Sequence, residues 1–265
     1  MQVRYAGATK TGLHRKRNED TFTIAPEQHV VVLADGIGGR PDGDVASEVA
    51  AQTIVGHILR ADPDVQAEGP RRTPSRIEAL LVGGVREAHD RIKNASVAGW
   101  GQGMGTTVVT AICDADAAWV AHVGDSRAYL IRDGELQRLT EDHTLLAELR
   151  RRDVISDMVG EDSPMAHQLT RALGIQDDLE IDVVRHVPRP GDVLLLCSDG
   201  LPHAVSPERI VELVTTGGED LLCAAQALVA AAIAAEEPDD TTVVLVAWDS
   251  DDEAETLEVP AARFN

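Results

Sequence analysis

A chain of 265 residues, 43% hydrophobic and with no Pro/Gly/Ser-rich linker, is long enough to bury one sizeable core, so a single domain is expected over two. Its formal net charge of −21 leaves no basic footprint for nucleic acid or an anionic membrane surface, and 3% aromatic residues offer no stacking platform for bases or sugars. No stretch approaches the roughly 18 to 20 apolar residues that cross a bilayer and no signal-peptide apolar region opens the chain, so a cytoplasmic location without membrane insertion is expected.

Strand-like runs at 21–24 and 30–34 flank a turn containing Pro26 and predict a hairpin whose second strand ends at Asp35-Gly36. From Asp44 to about Leu59 the positions Ala46, Val49, Ala50, Thr53, Ile54, His57 and Ile58 recur at helical spacing, with Asp44 available as N-cap. Pro74-Ser75 opens a second helix striped by Ile77, Leu81, Val85, Ala88 and Ile92, and the polar stretch 62–73 between the two reads as a surface connection. Strands follow at 106–112, 117–123 and 127–132, read as one antiparallel meander, and Asp133-Gly134 makes a hairpin into 136–139. Residues 145–170 are charged, with a short helical piece at 145–151. Val193 to Cys197 is a continuous apolar run, as expected of a strand covered on both faces. Ser206-Pro207 marks a helix start, 221–235 is an Ala-rich helix, 242–247 is a last strand, and 249–265 is an acidic, disordered tail. Hairpins and paired helices without strict βαβ alternation point to an α+β fold with antiparallel sheets.

Cys113, Cys197 and Cys223 are odd in number and unpatterned, and are read as buried free thiols. Gly101-Gln-Gly-Met-Gly105 lacks the Lys-Ser/Thr of a phosphate loop and leads into a strand, so it is read as a tight turn.

Seven short motifs stand in a fixed order: Arg15-x-x-Asn18-Glu19-Asp20, Asp35-Gly36-Ile37-Gly38-Gly39, Gly103-Met104-Gly105-Thr106-Thr107, Gly124-Asp125-Ser126-Arg127, Leu139-Thr140-x-Asp142-His143-Thr144, Ser198-Asp199-Gly200 and Pro238-Asp239-Asp240-x-Thr242. Five leave a carboxylate at the end of an apolar run. Bare carboxylates at strand ends are costly unless a cation compensates them, and converging ones suit hard divalent ions. The order and wording of these motifs resemble the PPM (type 2C) family of metal-dependent serine/threonine protein phosphatases in its bacterial form, over residues 15 to about 248.

The resemblance implies an α-β-β-α sandwich, two stacked antiparallel sheets flanked by helix pairs, with residues 1–248 as the phosphatase domain and 145–170 as a flap beside the active site. It also implies two Mn2+ or Mg2+ ions that aim a bridging hydroxide in line at phosphorus. Carried over residue by residue, Asp35 matches the bridging ligand, with the Gly36 carbonyl on one ion, and Asp199 and Asp239 match the remaining carboxylates. Asp125 matches a ligand of a third, weaker site. Glu19 and Asp20 match residues that hold metal-bound waters or the ligands themselves. Arg15 matches the guanidinium that binds substrate phosphate.

Three positions depart from the family pattern. Ile37 stands where eukaryotic members often carry a histidine. Asp240 replaces an Asn, so either member of the Asp239-Asp240 pair is a candidate ligand; alternation at a strand start lets only one face the metals, and Asp239 matches the family's. His203 stands where many members complete the third site with Asp, and is a candidate for it. The implied activity is dephosphorylation of phosphoserine and phosphothreonine in proteins, the substrates of serine/threonine kinases, by a monomer. A regulatory pseudophosphatase that binds phosphoproteins, and a partner-switching or small-molecule phosphatase, are the alternatives on the same fold.

Overall fold

The computed structural model describes residues 1–38, 42–61, 73–97, 103–156, 160, 163–217 and 220–250. All but Thr73 of the surface connection expected at 62–73, Gly101, part of the 145–170 segment and nearly all of the tail expected at 249–265 lie outside these residues.

Among the described residues, ten strands form two antiparallel sheets. The first orders β1 (Gln2–Lys10), β10 (Thr241–Asp249), β9 (Val193–Cys197), β6 (Arg127–Arg132) and β7 (Glu135–Arg138) side by side. The second orders β2 (Asp20–Ala25), β3 (Val30–Asp35), β4 (Val108–Cys113), β5 (Ala118–Val123) and β8 (Asp182–His186). Period-2 alternation in the central strands sends side chains into two different cores. Leu194 and Leu196 of β9 meet Val31, Leu33, Val109 and Val120 between the sheets, while Leu195 and Cys197 face the other way. That outward face is covered by α4 (Gly200–Ala204), α5 (Pro207–Thr216) and α6 (Leu221–Ala234), through Leu201, Ile210 and Leu228. Val30, Val32 and Ala34 on the outer face of the second sheet are covered by α1 (Gly43–Ala61) and α2 (Pro74–Val97), through Ala50, Ile54, Leu81 and Val85. The expected α-β-β-α sandwich is therefore present, and β9 is covered on both faces as its unbroken apolar run requires.

Local signals account for most boundaries. Asp133 and Gly134 both have positive φ, 52° and 80°, the pair that a type I′ hairpin between β6 and β7 needs. Ser206 caps α5 by accepting a hydrogen bond from the Arg209 N–H, with Pro207 at the first helical position. Thr144 caps α3 (Leu145–Arg151) in the same way through Ala147 N–H.

Four readings change. Asp44 lies inside α1 rather than capping it; the helix is entered through Asp42 at φ 59°, whose carbonyl accepts from Ala46 N–H. The strands around residue 125 are not one meander: β5 belongs to the second sheet and β6 to the first, so the chain changes sheet at Gly124-Asp125. The reason is the backbone of Gly124, whose φ of +106° turns the chain out of β5 in a conformation that a side-chain-bearing residue rarely adopts. Cys113 and Cys197 are buried, but Cys223 on α6 is exposed. Edge strands β1 and β8 escaped the pattern because, half covered, they lack clean alternation.

Candidate metal centre

The motif carboxylates meet where both sheets end. Asp35 closes β3 and is in register with Asp20, which opens β2, so the two side chains share a face of the sheet. Backbone groups around Asp35 are tied off by the Gly103–Thr107 motif: Thr107 N–H and the Thr106 hydroxyl both donate to the Asp35 carbonyl, each at 2.8 Å. Thr106 in turn pairs with Leu173, which gives the segment Arg171-Ala172-Leu173-Gly174 a bracing role. Gly36 donates its N–H to the Glu19 carbonyl at 3.0 Å, and a Cβ there would lie 2.3 Å from the Gly43 carbonyl oxygen. Only glycine allows that approach, which leaves the residue 36 backbone open beside Asp35.

Asp199 precedes α4 at its N-cap position yet makes no side-chain capping hydrogen bond. Its neighbour Ser198 donates to Asp20 Oδ2 at 2.9 Å and accepts from Thr242 N–H at 2.9 Å, fastening β2 of one sheet to β10 of the other. The Asp239-Asp240 pair divides its work. Both oxygens of Asp240 are taken by backbone donors, Gly12 N–H at 2.9 Å and Glu19 N–H at 2.7 Å, so Asp240 fixes the loop that carries Arg15 and Glu19. Asp239 is 37% exposed at its side chain and lies 2.7 Å from Arg15 Nη2, whose Nη1 is 3.3 Å from Glu19 Oε2.

Asp125 sits at the sheet-changing turn, and several side chains there brace it. Thr107 and Ser126 share a 2.6 Å hydroxyl hydrogen bond, and Arg127 is held by Asp142, with Nη2 to Oδ2 at 2.7 Å. His143 brackets Gly124 from both sides: its backbone N–H donates to the Gly124 carbonyl at 3.0 Å, and its ring Nδ1 accepts from the Gly124 N–H at 3.1 Å. Burial, followed by His122 and Arg171, lowers the His143 imidazole to about 4, which keeps it in the neutral form this acceptance requires. The sequence marks the motif containing His143 but gives the ring no role, because the contact closes only when the turn folds against it.

Electrostatics supply the test of fit for a metal. Burial comes first among the causes that raise the carboxyls of Asp20, Asp35, Asp125 and Asp199. Mutual repulsion follows: Asp35 is pushed up further by Asp20, Asp199, Asp125 and Asp239. Asp20 rises to about 7 despite hydrogen bonds from Thr242 and Ser198, and its Oδ1 is buried without a partner. A cluster of buried and half-buried oxygen donors that oppose one another's ionisation suits hard divalent cations such as Mn2+ and Mg2+. Asp35, the Gly36 carbonyl, Asp199 and Asp239 are the donors expected to hold two such ions, with Asp125 beside them. His203 stands next to Asp199, with Nδ1 3.9 Å from Oδ2.

A family model described as "Protein phosphatase 2C" matches residues 14–228 of the chain. Serine/threonine phosphatase stp of Listeria monocytogenes (strain F2365) is 36% identical over 210 residues, 78% of this chain and 81% of that protein. Serine/threonine protein phosphatase PstP of Mycobacterium tuberculosis is 32% identical over 212 residues, 80% of this chain and 39% of PstP. Among solved structures, the serine/threonine phosphatase of S. agalactiae superposes with a TM-score of 0.82 at 27% identity, covering 94% of this chain and 100% of that one. The catalytic domain of PstP in complex with two manganese ions superposes with a TM-score of 0.75 at 31% identity, covering 94% and 99%.

Two outcomes are expected. In the metal-free chain the raised carboxyls retain protons that the unfolded chain has already released, so folding takes up protons between about pH 4 and 7 and stability falls as pH rises through that window. The thermal midpoint of EDTA-treated protein should be lower at pH 8 than at pH 6, with Mn2+ raising it most at pH 8; a metal-free midpoint that climbs from pH 6 to 8 contradicts the cluster. Asp240→Ala strands two backbone donors and should cost about 2 to 4 kcal/mol in urea unfolding. Asp239→Ala should leave stability within about 1 kcal/mol and weaken Mn2+ binding instead; the reverse pattern assigns the ligand to Asp240.

Proposed function

The chain belongs to the protein phosphatase 2C family, and on that premise we propose that residues 1–248 hydrolyse phosphoserine and phosphothreonine monoesters of proteins at the centre formed by Asp35, Asp199 and Asp239. The observation that carries this reading is the convergence of Asp20, Asp125, Asp199 and Asp239 on Asp35 at the joined ends of two sheets, all four raising its proton affinity. It is a metal-dependent enzyme, as its relative PstP, solved with two manganese ions, supports. When bound, divalent ions supply charge neutralisation for phosphoryl oxygens and acidify water for attack on phosphorus.

The chain's own residues do the positioning. Asp35, locked by Thr106 and Thr107, presents its carboxylate from a rigid strand end, and Asp199 does so from the start of α4. Asp20, held by Ser198, lies behind Asp35 as a buried acceptor, and Glu19 is fixed through its backbone by Asp240. Arg15 spans Glu19 and Asp239 with one guanidinium nitrogen each, which leaves further donors of its planar fork for a phosphate dianion. Ile37 offers no titratable group, so the proton for the leaving alkoxide comes from solvent rather than from residue 37.

Residues 143–146 and 165–170 run back on each other, with Leu145 N–H donating to the Gln168 carbonyl at 2.8 Å and Leu146 N–H to the Met165 carbonyl at 3.0 Å. We take this folded segment as the flap against which a phosphopeptide lies. Among the described residues no helix is long and apolar enough to cross a membrane. We place the enzyme in the cytoplasm as a monomer acting on the products of serine/threonine kinases. The presence of Asp35, Asp199 and Asp239 disfavours a pseudophosphatase. Hydrolysis of a phosphopeptide, p-nitrophenyl phosphate and small phosphometabolites, each with Mn2+ and with EDTA, separates a protein phosphatase from a small-molecule one.

Asp35→Asn and Asp199→Asn should each lower phosphopeptide turnover about 10²-fold or more while circular dichroism stays native; wild-type turnover in either folded variant overturns the assignment. Arg15→Ala should raise both the KM for phosphopeptide and the inhibition constant of inorganic phosphate about tenfold. Because Arg15 competes for Asp239, Mn2+ affinity should hold or tighten, and a weakened Mn2+ affinity with unchanged phosphate inhibition would remove Arg15 from the substrate site.

A further inference from the structure

His203, the candidate for the family's third metal site, and His167, an imidazole that the phosphatase reading does not employ, both stand beside Asp199. His203 lies on α4, with Nδ1 3.9 Å from Asp199 Oδ2. His167 comes from the returning arm of the 145–170 segment and meets His203 edge to face, the ring centroids 5.1 Å apart and the planes at 72°. One nitrogen from each ring and one oxygen of Asp199 lie within 4.8 Å of one another. A four-coordinate ion with bonds of about 2.0 to 2.2 Å holds its ligand atoms ~3.4 Å apart. Both histidines are exposed residues, His203 with 29% of its side chain open to solvent, so modest side-chain rotations close the remaining distance.

We propose that His167, His203 and Asp199 form a binding site for an imidazole-accepting divalent ion of the Zn2+ class, which ties residue 167 to α4 and draws on the carboxylate that the proposed catalytic centre uses. The donor set separates this site from the catalytic one. Two nitrogens and one oxygen suit Zn2+, whereas the Asp35, Gly36, Asp199 and Asp239 oxygens suit Mn2+ and Mg2+. Three protein ligands leave a fourth position open, as in exchangeable rather than purely structural zinc sites. Glu237, a buried carboxyl raised chiefly by burial, lies within the electrostatic reach of His203.

A second cluster shows what disqualifies a comparable group. His122, His143 and Asp182 also present three ligand atoms within 4.8 Å. There Arg171 Nη1 already sits 3.2 Å from His143 Nε2 and 3.1 Å from Asp182 Oδ1, so a guanidinium fills the position of an ion. Among the described residues, no arginine or lysine hydrogen-bonds or ion-pairs with His167 or His203.

Two consequences follow from sharing Asp199. Zn2+ at this site withdraws that carboxylate from the catalytic pair, so it inhibits in competition with Mn2+, and it fastens the flap segment to the body of the domain. The inference rests on the proposed function only for the second role of Asp199; the binding itself does not.

The test uses the full chain, titrated without Mn2+ and again at rising Mn2+. Calorimetric titration with Zn2+ should show a site whose apparent affinity falls as Mn2+ rises, and Co2+ used as a spectroscopic probe should give the intense visible bands of a nitrogen-containing, low-coordinate site. His167→Ala and His203→Ala should each weaken Zn2+ binding tenfold or more and bleach the Co2+ bands, and His167→Cys, which restores a soft donor, should recover Zn2+ binding. Unchanged Zn2+ affinity and Co2+ spectra in both alanine variants overturn the site, as does a weak, six-coordinate Co2+ spectrum in the wild type. Mn2+-supported turnover of phosphopeptide by the wild type is read separately: its absence strikes the proposed function, while the Zn2+ and Co2+ titrations still decide the site.

Discussion

Mutual repulsion among buried carboxylates is the constraint around which this molecule is organised. Asp20 and Asp125 are buried and Asp35 and Asp199 half-buried, close enough together to oppose one another's ionisation. An arrangement of this kind opposes folding at neutral pH unless protons or cations compensate it. The rest of the sandwich supplies the opposing stabilisation, through three apolar cores that bury both faces of the central strands.

Holding such groups in place requires that their backbones be satisfied by something other than their own side chains. Thr106 and Thr107 bind the carbonyl of Asp35, Ser198 joins β2 to β10, Asp240 takes two backbone donors of the loop 12–19, and His143 clamps Gly124. Several motif residues that look alike in sequence therefore perform opposite tasks. Asp239 and Asp240 are adjacent carboxylates, yet one faces Arg15 at the open mouth and the other is consumed by the backbone. Arg15 and Arg127 are both motif arginines, but Asp142 commits Arg127 internally, while Arg15 keeps donors free at the surface.

The acidity of the whole chain fits an enzyme whose local charge is set by bound cations. A net charge of −21 repels phosphorylated substrates at long range, so attraction has to be confined to the mouth, where Arg15 stands and where cations are expected. The His167–His203 pair extends the same logic to a second class of ion, since nitrogen donors next to oxygen donors let one carboxylate answer to two metals of different chemistry.

Much of this was legible before folding. Periodicity marked most of the helices and the central strands, the unbroken run 193–197 announced a strand buried on both faces, and the ordered motifs named the carboxylates. Local propensity also set the type I′ turn at Asp133-Gly134 and the Ser206 cap, because those depend on a few adjacent residues. Tertiary structure alone decided the crossing between sheets at Gly124-Asp125, the edge strands β1 and β8, the division of labour between Asp239 and Asp240, and the meeting of His167 with His203. Those features arise from partners far apart along the chain. A side chain's identity fixes which bonds it is able to make, but which neighbour it meets is settled only when distant segments pack and compete for the same donors and acceptors.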